Sequence, residues 1–328
     1  MSGTRVLFLG GTGVISSACS WRAVELGLDL TVVNRGRTSI RPLPPEAKQL
    51  TADIDDPDAF AAVAGQDFDV VVDWLGFTPA QVEARTTALR GHVGQYVFIS
   101  SASAYQTPPA RLPITESTPL RNPHWQYSRD KIACEDLLTG LYRSEGYPIT
   151  IVRPSHTYDR TLVPFDGGWT FVERMRQGLP VVVHGDGTSL WTLTHHRDFA
   201  RGFVPLLGHA RTIGDTFQIT SDDVLTWNQI AETLAHAAGT TARIVHVPSD
   251  AIAAAHPGWG AGLLGDKTHS AVFDNSKLRQ VVPDYLATIP FETGAAEIIA
   301  WYDQNPAHRR IDDTVNDTMN TLIARYTP

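Results

Sequence analysis

The apolar positions of this chain fall into two rhythms. Short unbroken apolar runs, VLFL at 6–9, VVV at 70–72 and VFI at 97–99, are separated by longer segments whose apolar residues recur every three or four positions. An unbroken short run reads as a parallel strand covered on both faces, and the longer spacing reads as helix. The pattern predicts strands over 6–9, 30–34, 49–52, 69–74, 95–100 and 148–153. Helices fall between them, over 14–26, from Asp56-Pro57, from Thr78-Pro79 and over 127–142. Such alternation predicts an α/β chain with a doubly wound parallel sheet. Ligands of such sheets bind at the carboxyl ends of the strands.

The second half is less regular. The pattern predicts a hairpin from 181–183 and 190–194 around the turn Gly185-Asp186-Gly187. A helix over 197–207 and a strand over 216–219, returning to the large sheet, follow. Beyond them come a helix capped by Thr226 and running to Ala238, a strand over 243–247, and helices over 251–256, 276–282 and 292–302. The tail, 309–326, reads as an amphipathic helix. The expected division is a dinucleotide-binding domain over 1–155, with returning segments near 190–220. A smaller C-terminal α/β substrate lobe would comprise 156–189 and 221–328.

The first strand runs straight into Gly10, Gly11 and Gly13, and a helix follows. Glycines allow the tight turn and the close approach of backbone to ligand. Free amides and the positive end of the helix dipole then face whatever lies over the turn, a site suited to a dinucleotide pyrophosphate. This is the opening of a Rossmann fold, with Gly10, Gly13, Val14 and Ile15 as expected cofactor contacts and Ser16 where a third small residue packs helix on strand. The competing reading is a structural turn without a ligand.

The second strand usually ends in a carboxylate that binds the adenosine ribose of NAD. Here Asn34 ends it, with Arg35, Arg37 and Arg41 behind. Guanidinium groups without an acid would accept a 2′-phosphate, which favours NADP over NAD. The alternative is solvated loop arginines. Asp53 can accept from the adenine amino group while Ile54 packs on the ring, and Gly76-Phe77 fall near the expected cofactor path.

The reactive groups follow the fifth strand. Ser100 and Ser101 end it, and Tyr127 and Lys131 lie four residues apart on a predicted helix. Residues four apart share a helix face. An ammonium beside a phenol, together with an oxidised nicotinamide, favours the phenolate and is expected to draw its pKa from ~10 toward neutrality. Tyr127 could then exchange a proton with a secondary alcohol or ketone, Lys131 could tune it and bond the nicotinamide ribose, and Ser101 could hold the substrate oxygen. Alone, this tyrosine–lysine spacing is common on helix surfaces.

With these motifs in order, the chain resembles the short-chain dehydrogenase/reductase superfamily, in its extended, NAD-dependent epimerase/dehydratase-like branch. The resemblance rests on GGTGVIS at 10–16, Asp53-Ile54, SSASAY at 100–105, YSRDK at 127–131, RPSHTY at 153–158 and GDGTSLWTLTHHRDFA at 185–200. It extends to bacterial relatives of the chloroplast stem-loop-binding proteins. It implies Ser101, Tyr127 and Lys131 as catalytic, with Ser100, Pro154 and a backbone amide at His156 beside the nicotinamide. Trp191 stands where nucleotide-sugar enzymes commonly place an arginine on the pyrophosphate. An indole cannot pair with phosphate, so Trp191 would stack on a sugar or ring, or else belong to the core. Ala102 and Ser103 replace the Asp-Glu pair of sugar dehydratases, which argues against dehydration. Asp159-Arg160 replaces a usual Gly-Pro, so the pocket is remodelled there.

Ser103, His124, Arg160, Trp169 and Trp191 are the expected substrate contacts, with Phe165 and Gly167-Gly168 as further candidates. Loop packing and capping are the alternatives. The adjacent His195 and His196 point to opposite faces of a strand and have no ligand cluster around them, so no metal site is expected. His124 and His156 flank the site and could assist proton transfer or be structural.

Composition narrows the partners. The 328 residues carry a formal net charge of −8 and no basic run, which argues against nucleic acid. The two cysteines, Cys19 and Cys134, fall in predicted helices and suit a reducing, cytoplasmic setting. The first strand leaves no room for a signal peptide, and no apolar run reaches the ~18 residues of a membrane span. The expected function is NAD(P)-dependent hydride transfer on a sugar or sugar-like substrate, with net reduction or epimerisation as outcome. A non-enzymatic dinucleotide sensor or RNA binder on the same fold is the alternative. The helices over 79–89 and 134–142 would form the patch of a homodimer.

Overall fold

A computed structural model describes residues 3–37 and 40–327. Its centre is a seven-stranded sheet, parallel throughout. Across the sheet the strands run Asp215–Ile219, Ile149–Pro154, Tyr96–Ile99, Val70–Asp73, Arg5–Leu9, Asp29–Asn34 and Lys48–Thr51. The order reverses direction beside the first strand, which pairs with the second on one side and the fourth on the other. That reversal opens a crevice at the carboxyl edge, where a ligand can enter. The strand cores Val6–Leu9, Val70–Val72 and Tyr96–Phe98 have no exposed surface, as unbroken apolar runs require.

Separate apolar clusters cover the two sheet faces. One gathers Phe8, Val72, Phe199 and Phe203 under the helices Val14–Glu25 and His196–Phe203. The other gathers Leu7, Phe98, Cys134 and Leu138 under the helices Pro79–Ala88 and Gln126–Glu145. Their ends follow local chemistry. Asp56 accepts from the amides of Asp58 and Ala59 with Pro57 at the first helical position, and Thr78 and Gln81 form a reciprocal cap before Pro79. Gly146 closes the long helix in the left-handed conformation.

A third cluster holds the C-terminal elements, with Trp169, Phe171, Trp227, Phe291 and Met319 inside it. The tail helix begins at Asp313, not 309, because Asp312 caps it; it buries Val315, Met319 and Leu322. The expected hairpin is absent. Val181–His184 pairs in parallel with Ile244–Val247, Leu190–Trp191 pairs antiparallel with Leu225–Thr226, and Leu193–His195 pairs in parallel with His156–Tyr158. Val181, Val182 and Val183 are buried on both faces, which a two-stranded hairpin at a surface could not provide. The strand Asp215–Ile219 does return to the large sheet, beside Ile149–Pro154.

Candidate active site

A cleft of about 710 Å³ follows the carboxyl edge of the sheet. One end is the glycine turn, and Gly10, Gly13, Val14 and Ile15 all line it. Gly10 has φ +95°, and a Cβ on Gly11 would stand 2.6 Å from Val32 Cγ1, so the turn needs glycine in both respects. The helix Val14–Glu25 has no acidic residue in its first turn. The amides of Val14 and Ile15 have no partner among the described residues. This terminus suits an anion. Asn34, Arg35, Arg37, Asp53 and Ile54 line the same cleft further along. Asn34 Oδ1 accepts from the Gly36 amide at 2.8 Å and from Gln49 Nε2 at 3.0 Å, which fixes the loop that carries the arginines.

The far end carries the reactive groups. Ser100, Tyr127, Lys131 and Pro154 line it, and Tyr127 also walls a second pocket of about 320 Å³ that holds Ser101 and Ser103. Tyr127 thus stands where the two spaces meet. Ser101 Oγ accepts from the Ser103 amide at 3.2 Å and lies 2.9 Å from Ser103 Oγ, which in turn accepts from Ser128 Oγ at 2.7 Å. A chain of hydroxyls that begins at Ser128 and passes through Ser103 leaves the Ser101 proton free to donate outward. Below them Ser100 Oγ donates to Glu135 at 2.5 Å, and Glu135 pairs with Arg153, whose guanidinium sits 4.7 Å from the Tyr105 ring centroid.

Lys131 is buried, and its Nζ donates to the carbonyls of Gly76 at 2.6 Å and Ile99 at 2.7 Å. An ammonium has three donors, so one remains. Gly76 therefore contributes as the lysine's anchor instead of as a cleft wall. Asp73 fixes that anchor loop from beneath: with no exposed surface, it accepts from Arg85, from Tyr96 Oη at 2.7 Å and from the Leu75 amide at 2.9 Å. Arg85 reaches on to Asp55 at 2.9 Å, which ties the adenine side of the cleft to the lysine side.

The protein's own groups do not by themselves lower the Tyr127 pKa; the expectation also calls on an oxidised nicotinamide. Burial pushes the phenol up, Asp266 adds to the rise, and Ser101 opposes it. Lys131 is spent on two carbonyls, and burial brings its own pKa down to about 8. The phenol is therefore protonated at neutral pH.

Several expected substrate contacts lie elsewhere. Trp169 is buried in the C-terminal core, stacked on Tyr302 at 4.6 Å with its indole N–H on Glu173. Arg160 is exposed in another cleft, beside Trp21, Arg22 and Trp301. Arg41 pairs with Asp159 and Thr161, so it straps the loop after Asn34 to residues 159–161 instead of facing a phosphate. His124 is exposed and lines neither pocket. His156 and Trp191 line the second pocket, not the first cleft, and the indole N–H of Trp191 donates to His156 Nδ1 at 3.0 Å. Burial holds that imidazole neutral, with a pKa down to about 3. His195 binds Glu297 and His196 binds the Val14 carbonyl, but the rings do not take opposite faces as expected: they sit edge-to-face at 4.8 Å, because the strand ends at His195 and a helix begins at His196.

Among the walls of the second pocket, Trp125, Asp266, Lys267 and Phe273 lie outside every motif that the sequence offers. Trp125 precedes Tyr127 by two positions and could have been suspected from that alone. The other three come from 266–273, where no periodicity or spacing links them to Tyr127.

The sheet order, the glycine turn and the tyrosine–lysine helix define a dinucleotide-binding enzyme fold. The chain belongs to the NAD dependent epimerase/dehydratase family, which it matches over residues 6–220. It is 28% identical over 295 residues to the 2′-dehydrokanamycin reductase of Streptomyces kanamyceticus, covering 86% of this chain and 80% of that one. It is 29% identical over 248 residues to the 41 kDa b chloroplast stem-loop binding protein of Arabidopsis thaliana, covering 72% of this chain and 63% of the plant protein. Among solved structures it is similar to the UDP-glucose 4-epimerase of Bifidobacterium longum in complex with NAD+ and UDP. The TM-score is 0.73 at 21% identity, over 93% of this chain and all of the epimerase (100%). No helix among the described residues is long and apolar enough to cross a membrane.

Proposed function

We propose that this protein is an NAD(P)-dependent oxidoreductase that transfers hydride at a secondary alcohol or ketone of a sugar-like substrate. The observation that carries the reading is the position of Tyr127, the one residue of the Ser101–Tyr127–Lys131 set that walls both the nucleotide cleft and the second pocket. The cleft fits a dinucleotide: open helix amides at one end, a buried lysine with a spare donor at the other. Gly13, Val14 and Ile15 would hold the pyrophosphate, Asp53 and Ile54 the adenine, and Lys131 the nicotinamide ribose. Neither Arg35 nor Arg37 forms an ion pair among the described residues, so both are available to a 2′-phosphate, which supports NADP over NAD. When bound, the nicotinamide supplies or accepts the hydride.

The chain's own groups then manage the proton. Ser101 donates a hydrogen bond from its free hydroxyl to the substrate oxygen, keeping its proton, and polarises the carbonyl. Tyr127, protonated at neutral pH, delivers the proton as negative charge develops on that oxygen. This protonation state suits reduction of a ketone. In the oxidative direction the positive charge of the oxidised ring would have to bring the phenol down first. The 28% identity to a 2′-dehydrokanamycin reductase supports a reductive role. Trp191, whose N–H is already taken by His156, supports a non-nucleotide sugar. A cytoplasmic setting and a homodimer through the outer faces of the helices Pro79–Ala88 and Gln126–Glu145 are part of this proposal. Incubation with NADPH deuterated at the reactive carbon, and a panel of keto-sugars, should place deuterium on the former carbonyl carbon. Absence of label with every keto-sugar, together with tight and salt-sensitive binding of structured RNA, would favour the non-enzymatic reading.

A further inference from the structure

The second pocket contains a carboxylate that the reaction outlined above does not use. Asp266 lines it beside Tyr127, Ser103 and His156. It makes no hydrogen bond and no ion pair among the described residues, although the turn that carries it is pinned on every side. That turn is a single π-helical turn, Leu263–Lys267, a form that recurs at functional sites. Asn122, itself buried, donates from Nδ2 to the Gly265 carbonyl at 2.5 Å and to the Ser103 carbonyl at 2.8 Å. Its Oδ1 accepts from the amides of His124 and Trp125 at 3.2 and 3.1 Å. One side chain thus joins the π turn, the serine segment and the start of the Tyr127 helix. From the other side His184 Nε2 binds the Lys267 carbonyl at 2.9 Å, and Thr268 Oγ1 donates to Ser249 at 2.8 Å. Gly265 is required by space, since a Cβ there would lie 2.7 Å from Trp125 Cβ.

A half-buried carboxylate without a partner, held in a pocket wall by a rigid frame, is placed to accept from a ligand that completes it. We propose that Asp266 is a substrate-binding carboxylate that accepts from a hydroxyl or ammonium donor of the substrate, and that this selects amino- or polyhydroxy-sugars over phosphorylated ones. The inference rests on the proposed function, because it places the sugar against Tyr127. Burial pushes the Asp266 carboxyl up to about 6 while Lys267 opposes the rise, so at neutral pH it is an acceptor. Aromatic walls at Trp125, Trp191 and Phe273 would stack on the apolar faces of a sugar ring. A phosphate in this space would meet the Asp266 carboxylate, and the one ammonium that lines the pocket, Lys267, is already coupled to that carboxylate.

The test is equilibrium binding to the NADP-saturated protein, read by tryptophan fluorescence, since Trp125 and Trp191 line the pocket. The probes are glucosamine, glucose, glucose 6-phosphate and UDP-glucose. Glucosamine and glucose are expected to bind more tightly than either phosphorylated probe. Asp266→Asn should weaken glucosamine at least about tenfold with NADP affinity unchanged. Asp266→Ala should weaken glucose as well. The inference is overturned if the order of the probes is the same in Asp266→Asn, if UDP-glucose binds best, or if neither unphosphorylated sugar binds up to its solubility limit. No turnover is involved, so loss of the hydride-transfer reading in a Tyr127→Phe assay would be recorded separately from these outcomes.

Discussion

At the residue scale, the reactive set is held by polar groups that have no spare freedom. Ser101 is oriented by Ser103 and Ser128, and Lys131 by two carbonyls. The types and spacing of Ser101, Tyr127 and Lys131 are legible in the sequence because a serine-ended strand and a tyrosine–lysine pair four apart survive as local patterns. What local patterns cannot show is desolvation. In the protein alone burial raises the phenol, while the neighbouring ammonium is engaged by two carbonyls. Trp169 and Arg160 fail as pocket residues for the same reason: which side of a loop faces the core is decided by partners far along the chain, such as Tyr302. At this scale cofactor choice is testable. Replacing Arg35 and Arg37 together with alanine should weaken NADP by roughly tenfold or more and leave NAD nearly unchanged, as charge-assisted bonds to a 2′-phosphate require. Isothermal titration of both dinucleotides checks it, and an equal loss for NAD and NADP would count against the assignment.

At the element scale, the strand–helix alternation of the first half was fully readable. Each central strand is buried on both faces, so it stands out as an apolar run, and the helix starts at Pro57 and Pro79 carry their own caps. The C-terminal strands were misjoined because they are two to four residues long and pair with partners more than thirty residues away. A turn signal at Gly185-Asp186-Gly187 invites a hairpin, yet the burial of Val181–His184 requires neighbours that only a distant strand can supply. Two elements carry predictions. Asn122→Ala removes the joint between the π turn and the Tyr127 helix. It should raise KM for the carbonyl substrate by about tenfold, with cofactor affinity retained, because reacting groups lose their alignment. Arg85→Met leaves the carboxylate of Asp73 buried without its cation. Removing one partner of such a pair should cost about 3–5 kcal/mol, read as a fall in urea midpoint. A midpoint unchanged from the wild type would mean that Tyr96 and the Leu75 amide satisfy Asp73 alone.

At the scale of the whole molecule, several imidazoles are folded in neutral form. Burial brings His156 down to about 3 and His184, His195 and His196 down to about 4. These values lie below the ~6.5 of an exposed histidine. As pH falls below about 6.5 the unfolded chain takes up protons that the fold refuses, so stability is lost between about 6.5 and 4. The melting temperature should therefore drop as pH is lowered from 7 to 5, above the range in which ordinary carboxylates titrate. A melting temperature independent of pH over that interval would show that these histidines are solvated.

The proposed reaction depends on Tyr127 acting on the substrate at the junction of the two pockets. The most direct test compares turnover and cofactor affinity in Tyr127→Phe, with the reduced dinucleotide and the keto-sugar that accepts label. Loss of the phenol hydroxyl should lower kcat by roughly 10²- to 10⁴-fold, the usual worth of a positioned acid, while the dissociation constant for the cofactor stays within about twofold. Turnover equal to the wild type in a variant that still binds cofactor would contradict the central claim.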